Sequence, residues 1–268
     1  MNSSKQRFGQ VSGMVFAALV YLFLYLPIVV VIVFSFNASR MNIEFTGFTL
    51  AWYGIMFQNA SLMSAFQNTV IVAVASTAFS TLIGTIAAIG MYRYTFKGKG
   101  TVDSLLYIPI VIPEIVMGIS LLAFFSLLHI TTGLLTLIIA HVTFSMPFVL
   151  ITVRSRMAGY DQAVEEAAMD LGATRLRTLR RVTLPIIAPG IMAGAMLALT
   201  LSLDDVIVSF FTCGINSVTL PIKIFSLVRT GVTPDVNALA TVIVLATILV
   251  MILWHLFEKR SAKQEQAV

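Results

Sequence analysis

Three carboxylates interrupt stretches of sequence that are otherwise apolar. Glu114 stands within IPIVIPEIVMG, and Asp204 and Asp205 stand side by side within LALTLSLDDVIVS. A charge at the centre of a bilayer costs about 2.5–3.5 kcal/mol even on a lenient scale, so such residues face an interior cavity. Acids that face an apolar pathway attract cations. We therefore predict that all three line a pathway for a cationic solute, with Asp205 and Glu114 ranked ahead of Asp204.

A structural role is the alternative for the same acids. A buried carboxyl group can cap a helix, hydrogen-bond a neighbouring helix or stay protonated without touching a solute. Adjacent residues on a helix point about 100° apart, so Asp204 and Asp205 are not expected to face one pore equally. Pro109 and Pro113 precede Glu114 and predict a kink that frees backbone carbonyls beside it.

A charged island separates two apolar stretches, and it reads EEAAMDLGATRLRTLRRVTLP over residues 165–185. Its acidic start favours a short helix, which Gly172 can end by adopting a positive φ. Thr174 can cap a second helix that carries four arginines, and Pro185 and Pro189 are expected to stop that helix. The pattern predicts a helix-turn-helix elbow. On its own it also fits an amphipathic connector that rests on lipid headgroups.

The elements that must position these residues follow from composition. Of 268 residues, 58% are hydrophobic and 11% charged, and the mean hydropathy is +0.95, which indicates an integral membrane protein. A span of the hydrocarbon core needs about 20 helical residues. Six apolar runs predict an all-α membrane fold of one domain over 1–268, with transmembrane helices near 11–36, 66–91, 104–128, 134–153, 190–211 and 236–257.

Basic residues predict the orientation of these spans. One set of connecting segments holds fourteen Lys and Arg residues, and the other holds only Arg40, Lys223 and Arg229. Because basic residues concentrate on the cytoplasmic side, both termini and the segment 154–189 are expected in the cytoplasm. The net charge of +5 then reflects topology and contact with anionic lipid. Nucleic-acid binding would need these charges on one soluble face, so it is not expected.

The remaining chemically capable residues are interpreted as structural. The single cysteine, Cys213, excludes an internal disulfide, and we expect it to act as a small apolar residue. His129, His141 and His255 lie in different segments without metal-binding spacing, so they are interpreted as packing or interfacial residues, and no metal site is expected. No glycine-rich phosphate loop is present in the sequence, so the chain is not expected to bind nucleotide.

The island resembles the EAA loop of permease subunits in bacterial ABC importers. Glu166, Ala167 and Ala168 are followed by Gly172 and, after nine intervening residues, by Val182-Thr183-Leu184-Pro185, with Val182 where the family most often has Ile. The resemblance implies a coupling helix over about 161–171 that docks on a separate ATPase. The residues it assigns to this coupling are Glu165, Glu166, Ala167, Ala168, Asp170, Gly172, Leu184 and Pro185.

The resemblance extends over nearly the whole chain. The stretches YLPIVVVIVFSFNASR, GFTLAWY, AHVTFSMPFV, EEAAMDLGAT, LALTLSLDD and VNALAT are similar to permease subunits of bacterial spermidine/putrescine importers. This implies a type I ABC importer permease in the bacterial inner membrane, in contact with membrane lipid. The implied partners are a second homologous permease, two ATP-binding subunits that hold ATP and Mg, and a periplasmic polyamine-binding protein. The chain itself would bind no cofactor and hold no catalytic residue.

Three other functions are open. The first is a permease of the same kind of importer for another small cationic or metal-linked solute. An intramembrane enzyme would use the buried acids, but no second reactive group accompanies them at useful spacing. A scaffold or sensor would leave those acids unexplained.

Five aromatic residues cluster between the first two predicted spans: Phe45, Phe48, Trp52, Tyr53 and Phe57. This cluster could hold ammonium groups, or it could form an interfacial belt or a docking surface for the binding protein.

Overall fold

The computed structural model describes residues 3–40, 43–159, 161, 163–227 and 231–265, with side chains described within 13–249. These residues form an all-helical fold with one isolated β-bridge, between Asn37 and Phe48. The helices are α1 (Ser3–Phe34), α2 (Ala51–Gln58), α3 (Ala60–Arg93), α4 (Lys99–Val111), α5 (Glu114–Leu127), α6 (Leu134–Ala158), α7 (Ala163–Asp170), α8 (Arg175–Thr178), α9 (Leu184–Asp204), α10 (Ile207–Thr212), α11 (Leu220–Leu227) and α12 (Pro234–Glu265), with a π-helical turn (Leu179–Thr183) between α8 and α9.

Four described segments are long and apolar enough to cross a membrane: 13–34, 60–93, 134–158 and 175–204. The predicted span over 104–128 consists of two helices, α4 and α5, which meet at a bend of 109°, so the kink predicted before Glu114 is confirmed. Ile112 is extended at this bend (ψ 133°), and Pro113 follows it. Proline lacks an N–H and disfavours helical geometry in the residue before it, so the helix ends and a new one begins.

The predicted fifth span, 190–211, differs at both ends. Its helix stops at Asp204, and Asp205 is extended (φ −64°, ψ 125°) before α10 begins. At the other end, the stop expected at Pro185 is wrong, because α8 continues through the π-helical turn into α9. The Leu184 N–H bonds to the Leu179 carbonyl, five residues back. This wider turn gives the Pro185 ring room that a regular α-turn would deny it.

The sixth predicted span, 236–257, falls on α12. The apolar part of α12 within the described side chains is Pro234–Leu249, and the remainder of that prediction lies outside them. The count of six spans and the placement of both termini in the cytoplasm stay predictions.

The chain divides into two compact units, a first unit of residues 1–63 and 226–268 and a central unit of residues 64–225. In the first unit, the Trp52 indole donates to the Asn37 carbonyl over 2.6 Å, and the Tyr53 hydroxyl lies 2.9 Å from Ser35 Oγ. Phe36 stacks on Phe48 at 5.2 Å between ring centroids. Three of the clustered aromatic residues therefore hold the segment after α1 in place. The prediction of one domain over 1–268 stays a prediction.

The central unit contains two helix pairs that approach closely at glycines. A Cβ on Gly190 would lie 2.6 Å from Arg156 Cβ, and one on Gly194 would lie 3.2 Å from Val149 Cα, so α9 packs tightly on α6. A Cβ on Gly118 would lie 2.6 Å from the Phe211 ring, so α5 packs equally tightly on α10. Small residues allow such approach between membrane helices, where packing replaces the hydrophobic effect.

We predict that Gly84→Leu destabilises the central unit whereas Gly90→Leu on the same helix does not. A Cβ on Gly84 would meet Val149 Cβ at 2.9 Å, but one on Gly90 would meet nothing within 4 Å. Overpacking of this kind costs about 1–3 kcal/mol. The thermal unfolding midpoint of the purified chain should fall for Gly84→Leu only. Equal midpoints for the two variants would contradict the packing described here.

Candidate functional site

A cavity of about 270 Å³ in the central unit brings the three predicted acids together. Glu114 enters it as the first residue of α5, Asp204 as the last residue of α9, and Asp205 from the break before α10. The bend at Pro113 and the break at Asp205 therefore create the site, because the first places Glu114 at the start of a helix and the second places Asp204 at the end of one. The cavity is lined by Glu114, Phe144, Leu201, Asp204, Asp205, Val206, Ile207 and Val208.

The three acids differ in what their oxygens contact. The Asp205 side chain is only 5% exposed, and its carboxylate accepts hydrogen bonds from the Val208 N–H (3.2 Å) and the Ser209 N–H (2.7 Å). Glu114 and Asp204 are exposed, and neither carboxylate has a polar partner among the described residues. Asp205 thus caps α10, which is one of the structural roles considered for these acids. The carboxylate oxygens of Glu114 and Asp204 have no hydrogen-bond donor among the described residues and can accept hydrogen bonds from a solute.

This geometry corrects the expectation that the two aspartates lie on one helix about 100° apart. The helix ends between them, so their directions follow from the break rather than from helical periodicity. It also bears on the order in which the sequence ranked the acids as solute contacts. The Asp205 carboxylate already accepts two backbone hydrogen bonds, whereas the Asp204 carboxylate accepts none from the part of the chain that the structure describes. The roles of the three acids toward a solute stay predictions.

His141, interpreted from the sequence as a packing or interfacial residue, is buried and lies against Asp205 of the cavity lining, a contact that the sequence did not predict. His141 on α6 is 1% exposed, with Nδ1 at 2.7 Å from Ser202 Oγ and Nε2 at 2.9 Å from Ser209 Oγ. Nε2 also lies 3.5 Å from the Asp205 carboxylate. A signal was present: polar residues at 202, 205 and 209 recur every three or four positions, which requires a polar partner inside a membrane bundle.

Serine hydroxyls extend these contacts to α3. Ser202 Oγ lies 3.0 Å from Ser76 Oγ, and Ser145 donates to the His141 carbonyl over 2.6 Å. Ser80 Oγ lies 2.7 Å from Ser145 Oγ. Hydrogen bonds between membrane helices contribute about 0.6 kcal/mol each on average. The cavity therefore stands on a buried polar network that joins α3, α6, α9 and α10.

The charged island forms the elbow expected from its sequence. Asp161 accepts a hydrogen bond from the Ala163 N–H over 2.9 Å at the start of α7. Gly172 has φ +88°, and hydrogen bonds from Gly172 to Met169 and from Ala173 to Ala168 close the helix. This pair of bonds is the Schellman arrangement, which a glycine at positive φ permits.

The second helix of the elbow starts as predicted. Thr174 is extended (φ −70°, ψ 156°), and its hydroxyl accepts from the Arg177 N–H over 3.4 Å. The positive φ of Gly172 and the cap by Thr174 are therefore confirmed.

The two adjacent glutamates of the island face different surroundings. Glu165 accepts hydrogen bonds from Arg93 (2.5 Å) and from the Thr183 hydroxyl (2.6 Å), and Arg93 also donates to Thr183 (2.8 Å). We call these three residues the Glu165 clamp. It ties α7 to the end of α3 and to the π-helical turn. Glu166, in contrast, is exposed.

An exposed surface remains on the outer side of α7. Glu166, Ala167, Asp170 and Gly172 are exposed, and the Leu171 side chain at the end of the helix is 90% exposed. Val164 and Met169 of the same helix are also exposed, and a group of exposed apolar side chains beside acids is typical of a surface that meets a protein partner. Of the other residues that the resemblance assigned to coupling, Ala168 is half-buried, and Leu184 and Pro185 lie at the start of α9.

The remaining candidates stay peripheral to both sites. Cys213 follows α10 and is half-buried, and burial raises the pKa of its thiol. His129 adopts a positive φ of 56° between α5 and α6. Among the described residues, no three His, Cys, Asp or Glu side chains converge as metal ligands. The His255 side chain and the residue Arg229 lie outside the described part of the chain.

Comparison with known proteins gives consistent results. Residues 80–263 match a family described as binding-protein-dependent transport system inner membrane component. The spermidine/putrescine transport system permease protein PotC of Escherichia coli (strain K12) is 44% identical over 248 residues, covering 92% of this chain and 94% of that protein. The putrescine transport system permease protein PotI of the same strain is 39% identical over 252 residues, covering 91% and 89%.

The fold is also similar to a solved structure. A chain of a bacterial alginate ABC transporter, crystallised with a periplasmic protein bound to an alginate pentasaccharide, superposes with a TM-score of 0.68. The match covers 93% of each chain at 19% sequence identity. At this identity the similarity concerns the fold alone.

We predict that Glu165→Ala loosens α7 whereas Glu166→Ala does not. Both variants change helix propensity equally, but only Glu165→Ala removes the acceptor of two hydrogen bonds. Loss of a hydrogen bond to a charged group costs about 1.5–3 kcal/mol, so amide exchange over residues 163–170 should accelerate at least about tenfold. Hydrogen–deuterium exchange of the purified chain measures this. Equal acceleration in both variants would show that the Glu165 clamp does not hold α7.

Proposed function

The chain belongs to the family of binding-protein-dependent transport system inner membrane components, and we propose that it is a permease subunit of an ATP-driven importer of spermidine and putrescine. As a member of this family it is a multi-pass protein of the bacterial inner membrane. Its own part in transport is to form a section of the pathway and to connect that section to an ATPase on another chain.

The observation that carries the substrate assignment is the cavity with open carboxylates. Polyamines carry ammonium groups along an apolar chain. Glu114 and Asp204 offer acceptors for ammonium groups, and Phe144, Leu201 and Ile207 offer apolar wall between them. Charge-assisted hydrogen bonds are roughly twice as strong as neutral ones. The names of the relatives PotC and PotI point to the same class of solute.

The exposed surface of α7 supports docking of an ATP-binding subunit. Glu166 and Leu171 are accessible to a partner, while the Glu165 clamp joins the same helix to α3 and to the π-helical turn. From Arg175 to Asp204 the chain is one helical segment of 30 residues. Movement imposed on α7 therefore reaches the acid cavity through a continuous element.

The complete importer would contain further chains. We infer a second homologous permease, two ATP-binding subunits that hold ATP and Mg, and a periplasmic protein that delivers polyamine. The apolar stretch 13–34 of α1 has no buried residue in its most hydrophobic part, which leaves it free for lipid or a partner helix. Closure of the ATPase pair would switch the permeases between inward-open and outward-open states.

We predict that Glu114→Gln and Asp204→Asn each lower spermidine uptake at least about tenfold, since each removes a charged partner worth about 1.5–3 kcal/mol. Uptake of labelled spermidine should be measured in cells whose own permease is deleted and whose partner subunits are present. Glu44→Gln is the matched control, because Glu44 is an exposed acid outside the cavity.

Amounts of inserted protein should match in all three variants. Normal uptake by both cavity variants would refute the role of the cavity, and normal uptake in cells lacking the permease altogether would refute the polyamine assignment.

We predict that Gly172→Val uncouples ATP hydrolysis from substrate, whereas Gly172→Asn retains most coupling. A Cβ on Gly172 would meet nothing within 4 Å, so the cost comes from its φ of +88°, which Asn tolerates and Val does not. Gly98→Val is the matched control, with φ +89° and equal space but outside the island.

Stimulation of ATPase activity by receptor and spermidine, measured on the assembled importer, should be lost only in Gly172→Val. Full stimulation in Gly172→Val would exclude the island from coupling.

A further inference from the structure

We propose that His141 is the positioning residue of the acid cavity, holding the two helical segments on either side of the break at Asp205 so that Asp204 faces the solute. The inference rests on the proposed function only for the identity of that solute. The bridge itself is a property of the fold.

The imidazole contacts both sides of the break. Nδ1 lies 2.7 Å from Ser202 on α9, before the break, and Nε2 lies 2.9 Å from Ser209 on α10, after it. Asp205, in the break, lies 3.5 Å from the same Nε2 and caps α10 through the Ser209 N–H. One ring therefore links α9, α10 and the residue that joins them.

The position of the break controls the open acid. Asp204 is the last residue of α9, directly before the extended Asp205. A change in the angle between α9 and α10 moves Asp204 and Ile207 relative to Glu114 on α5, and all three line the cavity. Losing the bridge should therefore weaken solute binding while the chain still folds and inserts.

The two contacts can be separated by substitution. The side-chain amide of asparagine replaces only Nδ1 of the imidazole, and the longer side chain of glutamine places its amide at the position of Nε2 only. His141→Asn thus keeps the bond to Ser202 and loses that to Ser209, and His141→Gln does the reverse. His141→Leu loses both.

Ser80→Ala is the matched control for these variants. It removes a buried serine-to-serine hydrogen bond of 2.7 Å between α3 and α6, in the same network but away from the break.

The test measures uptake kinetics of labelled spermidine by the whole importer. We expect KM to rise about threefold for His141→Asn, His141→Gln or Ser209→Ala, the ratio that corresponds to the ~0.6 kcal/mol of one interhelical hydrogen bond. His141→Leu should raise it about tenfold. Vmax and protein level should match Ser80→Ala.

Adding Ser209→Ala should raise KM further in His141→Gln but not in His141→Asn, where that contact is already lost. Equal effects of Ser209→Ala in both backgrounds, or variants that differ from Ser80→Ala only in protein level, would overturn the proposal.

A second readout needs no solute. Cys213 is the single cysteine of the chain, so Cys213→Ser combined with Ile207→Cys places one thiol in the cavity wall. Its modification by a cationic methanethiosulfonate should exceed that by an anionic one. His141→Asn and Ser209→Ala should each change the rates at which this thiol is modified, and Ser80→Ala should leave them unchanged.

The two hypotheses fail differently under these measurements. Shifted modification rates without any polyamine uptake by the unmodified importer would refute the substrate assignment and support the bridge. Normal uptake with unshifted rates would refute the bridge and leave the substrate assignment intact.

Discussion

The structure depends on one constraint: polar groups that leave regular helices inside a membrane must find partners within the protein. The acid cavity needs a break in the helix that carries Asp204, and the break frees backbone N–H groups. Asp205 accepts hydrogen bonds from two of them, and His141 joins the segments on both sides. The same polar network that stabilises the break also determines which polar groups line the cavity.

The second helix of the elbow and the acid cavity lie at the two ends of one helical segment. The helical segment 175–204 would extend about 45 Å at 1.5 Å per residue. The Glu165 clamp ties α7 to this segment at Thr183, and the segment ends at Asp204, so the surface proposed for an ATPase connects to the acid proposed for a solute through one hydrogen-bonded contact and one helix. The π-helical turn preserves this continuity, because it accommodates Pro185 where a regular α-helix would stop.

Local rules predicted much of this architecture from sequence. Composition indicated a helical membrane protein, Gly172 and Thr174 marked the elbow, and the cost of buried charge led to a common cavity for Glu114, Asp204 and Asp205. The errors arose where a residue's effect depends on tertiary context. Proline produced a full bend at Pro113 but none at Pro185, because only the second lies after a widened turn. The hydrogen-bond partners of His141 were not predicted because they lie 61 and 68 residues away in sequence.

The glycine contacts divide the region around the cavity into two tightly fitted pairs. Gly190 and Gly194 seat α9 on α6, and Gly118 seats α5 against Phe211 of α10. Two joints flank these pairs: Asp205–Val206 connects α9 of the first pair to α10 of the second, and Ile112–Pro113 connects α4 to α5 of the second. A small rotation at these joints changes the width of the gap holding the acids without unpacking either pair. Adaptation to a bulkier cargo would therefore begin at the joints and not at the glycine contacts, where an added methyl group would lie only 2.6–3.2 Å from the facing helix.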